Sequence, residues 1–590
     1  MSGTIDEIVG YGPKGNSQLK FKSFKVFAVA FFIFIGIQIA VLWLGSKPPK
    51  HQVFHNGQVL TMDAENSIVE AISVRHDRIE ATGTNVEINA LIDDDTVIVD
   101  LAGRTLMPGF IDAHGHFPGS GFDVLAVDLN SPPIGSVTNM VDISRLLSAK
   151  VKQTAPGKWV FGFGYDDTLL EQPVHPTRRQ LDDISVDHPI AIMHVSGHMA
   201  VANTMAMELA GIDKNTPNPV GGVIVKDKQG ELHGLLEETA RERVLALAMD
   251  ISVLGFMDMI RAAVLDYAAV GVTTAQSGGA DSSMAEGLKL AVTMGLVPFR
   301  LEVWPLYNEL GEQILNGEFA AEQQANEMYR MQTVKIVSDG SIQGYTGYLS
   351  HPYHVPFNGD EDYRGYPSIP AEELTKWVKR FHKAGVQLAI HANGDAAIDN
   401  VIAAMETAQA DFYRQDPRLI LIHAQMARRD QLQAMKRLGI TPSFFSAHTY
   451  YWGDRHTNIF MGPKRASNMS PTGWAVDEQL RFSVHLDTPV VPMNPMLLLW
   501  STVNRQSTGG HTIGEHQKIS VMQALRAVTI DAAWQIFQEE KIGSLESGKY
   551  ADMIILSSSP LLDVENIGDI SVEQTIVGGK TIYKQYSPKS

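Results

Sequence analysis

Eight apolar, β-leaning runs recur along the chain, and most of the intervals between them hold one helical stretch. In order the runs are LMPGFIDAHGH from Leu106, GVTTAQSGG from Gly271, VPFRLEVW from Val297, TVKIVSDG from Thr333, VQLAIHANG from Val386, LILIHAQ from Leu419, ITPSFFSAH from Ile440 and RFSVHLD from Arg481. AEELTKWVKRFHKAG, before the fifth run, is a representative helical interval. Strands that alternate with helices pair in parallel, and eight of them is the count of a (β/α)8 TIM barrel. One interval, between His116 and Gly271, is far too long for a single helix. It holds strand-like pieces such as KWVFGFGYDD and PIAIMHVSGH and reads as a subdomain inserted over the barrel mouth, about residues 119–270 of a barrel spanning 109–540.

Both ends are β-rich. Residues 53–106 break into short strands with turn signals, and IGSLESGKYADMIIL and QTIVGGKTIYK do the same near the C-terminus. The expected unit is a discontinuous β-sandwich built from residues 51–108 and 541–586. Ahead of it, after an N-terminal tail of residues 1–25, Val26 to Gly45 is apolar apart from Gln38. Roughly 20 such residues cross a bilayer core. Four lysines (14, 20, 22 and 25) precede the segment and two (47 and 50) follow it. This bias favours a transmembrane anchor at 26–45, with the catalytic body on the exported, periplasmic or extracellular, side. A cleaved signal peptide competes, but the run is long and Leu44-Gly45-Ser46 lacks the small-x-small cleavage pattern.

The composition narrows the chemistry. A formal net charge of −18 argues against nucleic acid as a partner. The absence of cysteine removes disulfides, thiolate metal sites and thiol nucleophiles. Histidine is left, and its placement matters more than its number. The first run ends on His114 and His116, whose i, i+2 spacing on a strand points both side chains the same way. The fifth run ends near His391, the sixth on His423, and the eighth on His485 and Asp487; the fourth carries Lys335. Barrel active sites form at the strand C-termini. Imidazoles with a carboxylate suit zinc or a similar first-row divalent ion. An ammonium repels a metal, but a buried lysine loses its proton easily, and the neutral amine can take up CO2 to give a carboxylate-like bridge. Alternatively, Lys335 reaches the surface or pairs with Asp339, and each histidine taken alone is a satisfied core residue.

The order His-x-His, Lys, His, His, Asp on runs one, four, five, six and eight resembles the amidohydrolase superfamily. The lead-in PGFIDAHGH and the C-terminal GSLESGKYADMIIL are similar to its motifs. GFGYDDTLL, SGH at 196–198, DGSIQGYTGYL and FSVHLDTPV look like the YtcJ-like amidohydrolase family 3 branch, which includes N-substituted formamide deformylase. The resemblance covers nearly everything from Val53 onward. It implies a binuclear hydrolase of carbon–nitrogen bonds, with a small-molecule substrate of amide, N-acyl or formamide type, and it is compatible with a homodimer. His114, His116 and Asp487 would bind one metal and His391 and His423 the second, with N6-carboxylated Lys335 bridging them. Asp487 would act as general base and then acid. His198 would contact substrate or the developing oxyanion. Tyr165, Asp166, Gln343, Tyr345 and His448 are candidate pocket walls, although Asp166 would equally cap a turn, and His485 would support the metal ligands from behind. Two alternatives stay open: a mononuclear deaminase or related lyase of the same superfamily, and an inactive membrane-tethered binding protein on this scaffold.

Overall fold

The computed structural model describes residues 48–249, 251–318 and 327–585. The apolar segment 26–45 lies outside the described residues. Among the described residues, no helix is long and apolar enough to cross a membrane.

Eight strands run parallel in chain order: β1 (Phe110–Ile111), β2 (Val272–Ala280), β3 (Arg300–Pro305), β4 (Thr333–Val337), β5 (Gln387–Ala392), β6 (Leu419–His423), β7 (Ile440–Phe444) and β8 (Ser483–Val484). β1 to β3 form one parallel ladder and β4 to β8 another. A parallel bridge between Leu306 and Lys335 joins β3 to β4, where the Tyr307 N–H donates to the Lys335 carbonyl at 3.0 Å. Just past β8 and β1, the Asp487 N–H donates to the His114 carbonyl at 3.1 Å and the His116 N–H to the Thr488 carbonyl at 2.7 Å. The last strand's end is thereby laced to the first, and the two histidines and the aspartate share one backbone network.

The strands are buried over most of their length, so their sequences read as continuous apolar runs. Helices between them bury one stripe each. In Ala371–Lys383, Leu374, Val378 and Phe381 face the core at i, i+4 and i+7. Glu372 and Glu373 sit in its first turn and Arg380 and Lys383 in its last, each sign at the end the helix dipole favours. Arg429–Leu438 buries Leu432, Met435 and Leu438 and stops at Gly439, whose φ of +72° turns the chain into β7.

The run from Leu106 is not one strand. Thr105–Pro108 joins a six-stranded sheet of chain-end strands, antiparallel to Met553–Leu556, and only Phe110–Ile111 enters the parallel set. Gly109 makes the switch possible, because a Cβ there would stand 2.1 Å from the Thr273 side chain. Strands between His51 and Asp100 form a separate four-stranded sheet. One apolar cluster (Phe54, Ile72, Leu106, Met553, Ile555 and Ile576 among its members) takes side chains from both sheets. Between β1 and β2 lies a mixed six-stranded sheet built from Val127 to Glu238. The helix Val253–Ala269, which leads into β2, buries Ile260, Ala263 and Tyr267 in the cluster that holds the parallel strands.

Candidate metal centre

Six of the predicted residues converge toward the C-terminal ends of the parallel strands: Lys335, His391 and His423 from within β4, β5 and β6, and His114, His116 and Asp487 from just past β1 and β8. His114 Nε2 lies 3.3 Å and His116 Nε2 3.2 Å from Asp487 Oδ1. Lys335 Nζ is 3.1 Å from His114 Nε2. His423 Nε2 is 3.9 Å from Asp487 Oδ2, and the His391 and His423 rings are 4.5 Å apart. His114, Lys335, His391, His423 and Asp487 are buried, and His116 is partly exposed.

Three of the four imidazoles are hydrogen-bonded at the nitrogen that faces away from the cluster, whereas the hydrogen bond of His391 is at Nε2, 3.2 Å from Asn393 Nδ2. His114 Nδ1 bonds Gln276 Oε1 at 2.8 Å, and the same oxygen accepts the Gly115 N–H at 2.9 Å. His116 Nδ1 donates to the Gly278 carbonyl at 2.6 Å. His391 Nδ1 is 3.3 Å from Asp339 Oδ1, whose carboxylate also accepts the N–H groups of Tyr348, Asn393 and Gly394. His423 Nδ1 bonds His485 Nε2 at 3.0 Å, and Ser443 holds the far side of that ring at 2.8 Å. Such second contacts fix tautomer and ring orientation and present the remaining nitrogens together, as metal-binding histidines require.

The donor set fits a divalent ion. Ligand atoms on tetrahedral bonds of about 2.0–2.1 Å sit roughly 3.3 Å apart, the separation found at Asp487 Oδ1, a buried oxygen with no hydrogen-bond partner among the described residues. Burial holds the His114 and His423 imidazoles well below their ordinary range, so they are neutral and able to ligate. Burial works the other way on Asp487, but the surrounding imidazoles of His423, His116 and His114 outweigh it and hold the carboxyl well below the carboxylate range. Burial brings the Lys335 amine down to about 7, against the pull of Asp487. Two of these residues carry a left-handed backbone, His423 at φ +70° and Asp487 at φ +59°. Strain of this kind, of order 1–3 kcal/mol, gathers where a side chain must be aimed.

The remaining predicted residues divide. The His198 ring stands 5.1 Å from that of His391. His448 stacks on Phe445 at 4.0 Å, lies 6.5 Å from the His423 ring, and its Nε2 is 3.4 Å from Gln343 Nε2. Tyr345 packs among Tyr353, Phe357 and Phe460. Tyr165 and Asp166 are not brought to the cluster. The Tyr165 hydroxyl bonds His175 inside the inserted unit. Asp166 caps the turn at Asp167–Leu169 through Thr168, and its second oxygen accepts from Trp452 at 3.1 Å and Arg455 at 2.7 Å. These four donors occupy its lone pairs, so it caps the turn, and it also lines a small cavity with Leu169, Val195, Tyr451, Trp452 and Arg455. Gln276 and Glu238 were not singled out from the sequence; Asp339, named there as a partner for Lys335, lies beside His391 instead, and Lys335 is buried against His114. Gln276 was visible only as a polar residue at the end of an apolar run.

The eight parallel strands and this donor cluster define an α/β metal-dependent hydrolase. The amidohydrolase family model matches residues 97–583, and the chain belongs to that family. It is 27% identical over 546 residues to N-substituted formamide deformylase of Arthrobacter pascens, a match that covers 90% of this chain and 98% of the relative. It is 26% identical over 551 residues to the putative amidohydrolase YtcJ of Bacillus subtilis, covering 90% and 99%. Among solved structures, an uncharacterized metal-dependent hydrolase from Pyrococcus horikoshii shares the fold, with a TM-score of 0.69 at 24% identity over 88% of this chain and 99% of the other.

Proposed function

We propose that this hydrolase cleaves a carbon–nitrogen bond outside peptides, in a small amide, N-acyl or formamide-type compound, using two divalent metals, zinc by preference, at the mouth of a (β/α)8 barrel. The observation that carries the reading is the convergence of His114, His116 and His423, each tied at its second nitrogen, on Asp487, with His391 beside His423 and a buried lysine whose amine lies at about 7. A lysine with that proton affinity is partly neutral at physiological pH and open to carboxylation. His114, His116 and Asp487 would hold one metal and His391 and His423 the other, with Lys335, once carboxylated, supplying a shared carboxylate. Metals bound there supply hydroxide near neutral pH and polarise the carbonyl. Asp487 takes the proton of the attacking water and passes it to the departing nitrogen. His198, at the His391 end of the cluster, faces the developing oxyanion. The deformylase relative directs the choice of substrate toward formamides. Residues 26–45 anchor the chain in a membrane, with the catalytic body on the exported side, and dimer formation is compatible with this arrangement.

The test is turnover of N-substituted formamides and N-acyl amines by protein loaded with zinc, manganese or cobalt in bicarbonate. Hydrolysis that disappears in Asp487→Asn, with the protein still folded, supports the reading. Ammonia release from an aminated heterocycle with no amide turnover replaces it with the deaminase alternative.

A further inference from the structure

The turn that Asp166 caps begins at Asp167, and the fold treats the two carboxylates differently. Asp166 has its oxygens filled by Thr168, Trp452 and Arg455, and the Arg455 guanidinium balances its charge. Among the described residues, no lysine or arginine reaches Asp167, and its carboxylate accepts no aligned hydrogen bond. Its close contacts are two imidazoles: His194 Nε2 lies 3.1 Å and His175 Nδ1 3.6 Å from Asp167 Oδ1. His194 is fully buried, and its Nε2, aimed at that oxygen, has no hydrogen-bond partner. Burial holds the His175 ring neutral, down at about 4. Asp167 keeps only 15% of its side chain accessible. A carboxylate so enclosed is costly unless a cation pairs with it.

The group is poorly made for a metal. Asp166, Asp167 and His194 stand within 4.8 Å of one another, but Asp166 has no acceptor position left. The Ser196 N–H donates to His194 Nδ1 at 3.2 Å, so the ring's own hydrogen sits on Nε2, where a metal would need a lone pair. What remains is one carboxylate with one open face, which suits a single positive charge.

Two short runs of chain join Asp167 to the candidate metal centre. His198 follows His194 by four positions, which span at most about 14 Å, and its ring stands 5.1 Å from that of His391. On the other side is Tyr345, whose phenol is raised to about 12 by burial and by the Asp167 charge. Gln343, two positions before it, has its amide nitrogen 3.4 Å from His448 Nε2. Asp167 is therefore about one small-molecule length from the metal ligands. The formal net charge of −18 draws cations rather than anions toward such a rim.

We propose that Asp167 determines specificity by receiving a positively charged amine at the far end of the substrate while the amide lies at the metals. The inference rests on the hydrolase reading above and narrows its substrate to amides that carry an ammonium group several bonds from the scissile C–N bond. An ammonium has three donors and no acceptor, and the open face of Asp167 has acceptors alone.

The experiment uses metal-loaded, full-length protein and two N-alkylformamides of equal length, one ending in a primary ammonium and the other in a hydroxyl. Wild-type protein should favour the ammonium compound by about 10–100-fold in kcat/KM, the range of a hydrogen bond to a charged group. The gain should lie in KM, because the group is remote from the reacting bond, and should shrink in added salt. Asp167→Asn, of the same size, should bring the ratio near one. A second readout needs no turnover: butylammonium should raise the melting temperature of wild-type protein more than butanol does, and Asp167→Asn should erase the difference. If Asp167→Asn does not fold, the wild-type ratio and its loss in salt carry the test. A wild-type ratio near one, or a preference that survives in Asp167→Asn, overturns the assignment. So does a third divalent ion per chain that Asp167→Asn removes, which would make the group a metal site. Turnover of neither formamide sinks the hydrolase reading, and the melting difference then decides whether Asp167 holds a cation. Turnover of both formamides at equal rates sinks this inference alone.

Discussion

Gln276→Leu separates metal holding from folding. Gln276 is buried, and its Oε1 accepts from both His114 Nδ1 and the Gly115 N–H, while its Nε2 has no hydrogen-bond partner among the described residues. Leucine of similar size strands two buried donors, His114 Nδ1 and the Gly115 N–H, at a cost of about 1–3 kcal/mol each. It also removes the unsatisfied Nε2, which returns the cost of one such group. The net change in folding stability of metal-free protein is therefore about 1–3 kcal/mol. The effect on metal is different. Without Gln276 the His114 ring loses the contact that selects its tautomer, and losing such a contact costs about 10–100-fold in metal affinity. Competition with a fluorescent chelator gives the affinity, and urea unfolding of metal-free protein gives the stability. Unchanged affinity, or a metal-free protein that no longer folds, would refute the reasoning.

Three further outcomes follow from the same geometry. Asp166→Ala should cost about 1.5–3 kcal/mol by removing the carboxylate that Trp452 and the partly buried Arg455 share, while turnover per folded molecule stays near wild type; a loss of kcat without a fall in melting temperature would place Asp166 in the substrate pocket. Burial keeps His175 and His456 neutral, at about 4 and about 3, whereas unfolded each takes a proton near 6.5. For these two histidines the unfolded state binds more protons below pH 6.5, and each lowers stability by up to about 1.4 kcal/mol per unit of falling pH until its folded value is reached, while Asp112 and Glu237, raised by burial to about 8 and about 7, act in the opposite sense; a urea-midpoint slope from pH 7 to 5 that is the same in wild type and in His456→Gln would contradict this. Gly109→Ala should destabilise the chain through its overlap with Thr273, which the melting temperature reads; an unchanged value would mean that the β1 switch tolerates a side chain.

The parallel strands and their terminal residues were legible because burial on both faces leaves near-continuous apolar runs, and because a polar residue ending such a run stands out. His114, His116, His391, His423 and Asp487 carry that signal, and Lys335 stands out as a charge inside its run. The residues that orient them do not. Gln276 reaches His114 across 162 positions and Glu238 reaches His198 across 40, so each partnership depends on the finished topology. Tyr165 and Asp166 belong to a strand of the inserted sheet, and no local pattern told which side of it faces the cluster. The run from Leu106 looked like a single strand because hydrophobicity does not register the break at Gly109 between two sheets.

The measurement that bears most directly on the account is metal content per chain, in wild-type protein purified without chelator and in Lys335→Ala. The binuclear reading predicts about two divalent ions per wild-type chain, fewer in the variant, and loss of amide hydrolysis with them. Wild-type protein that binds no metal, and gains no activity from zinc, manganese or cobalt with bicarbonate, would contradict it.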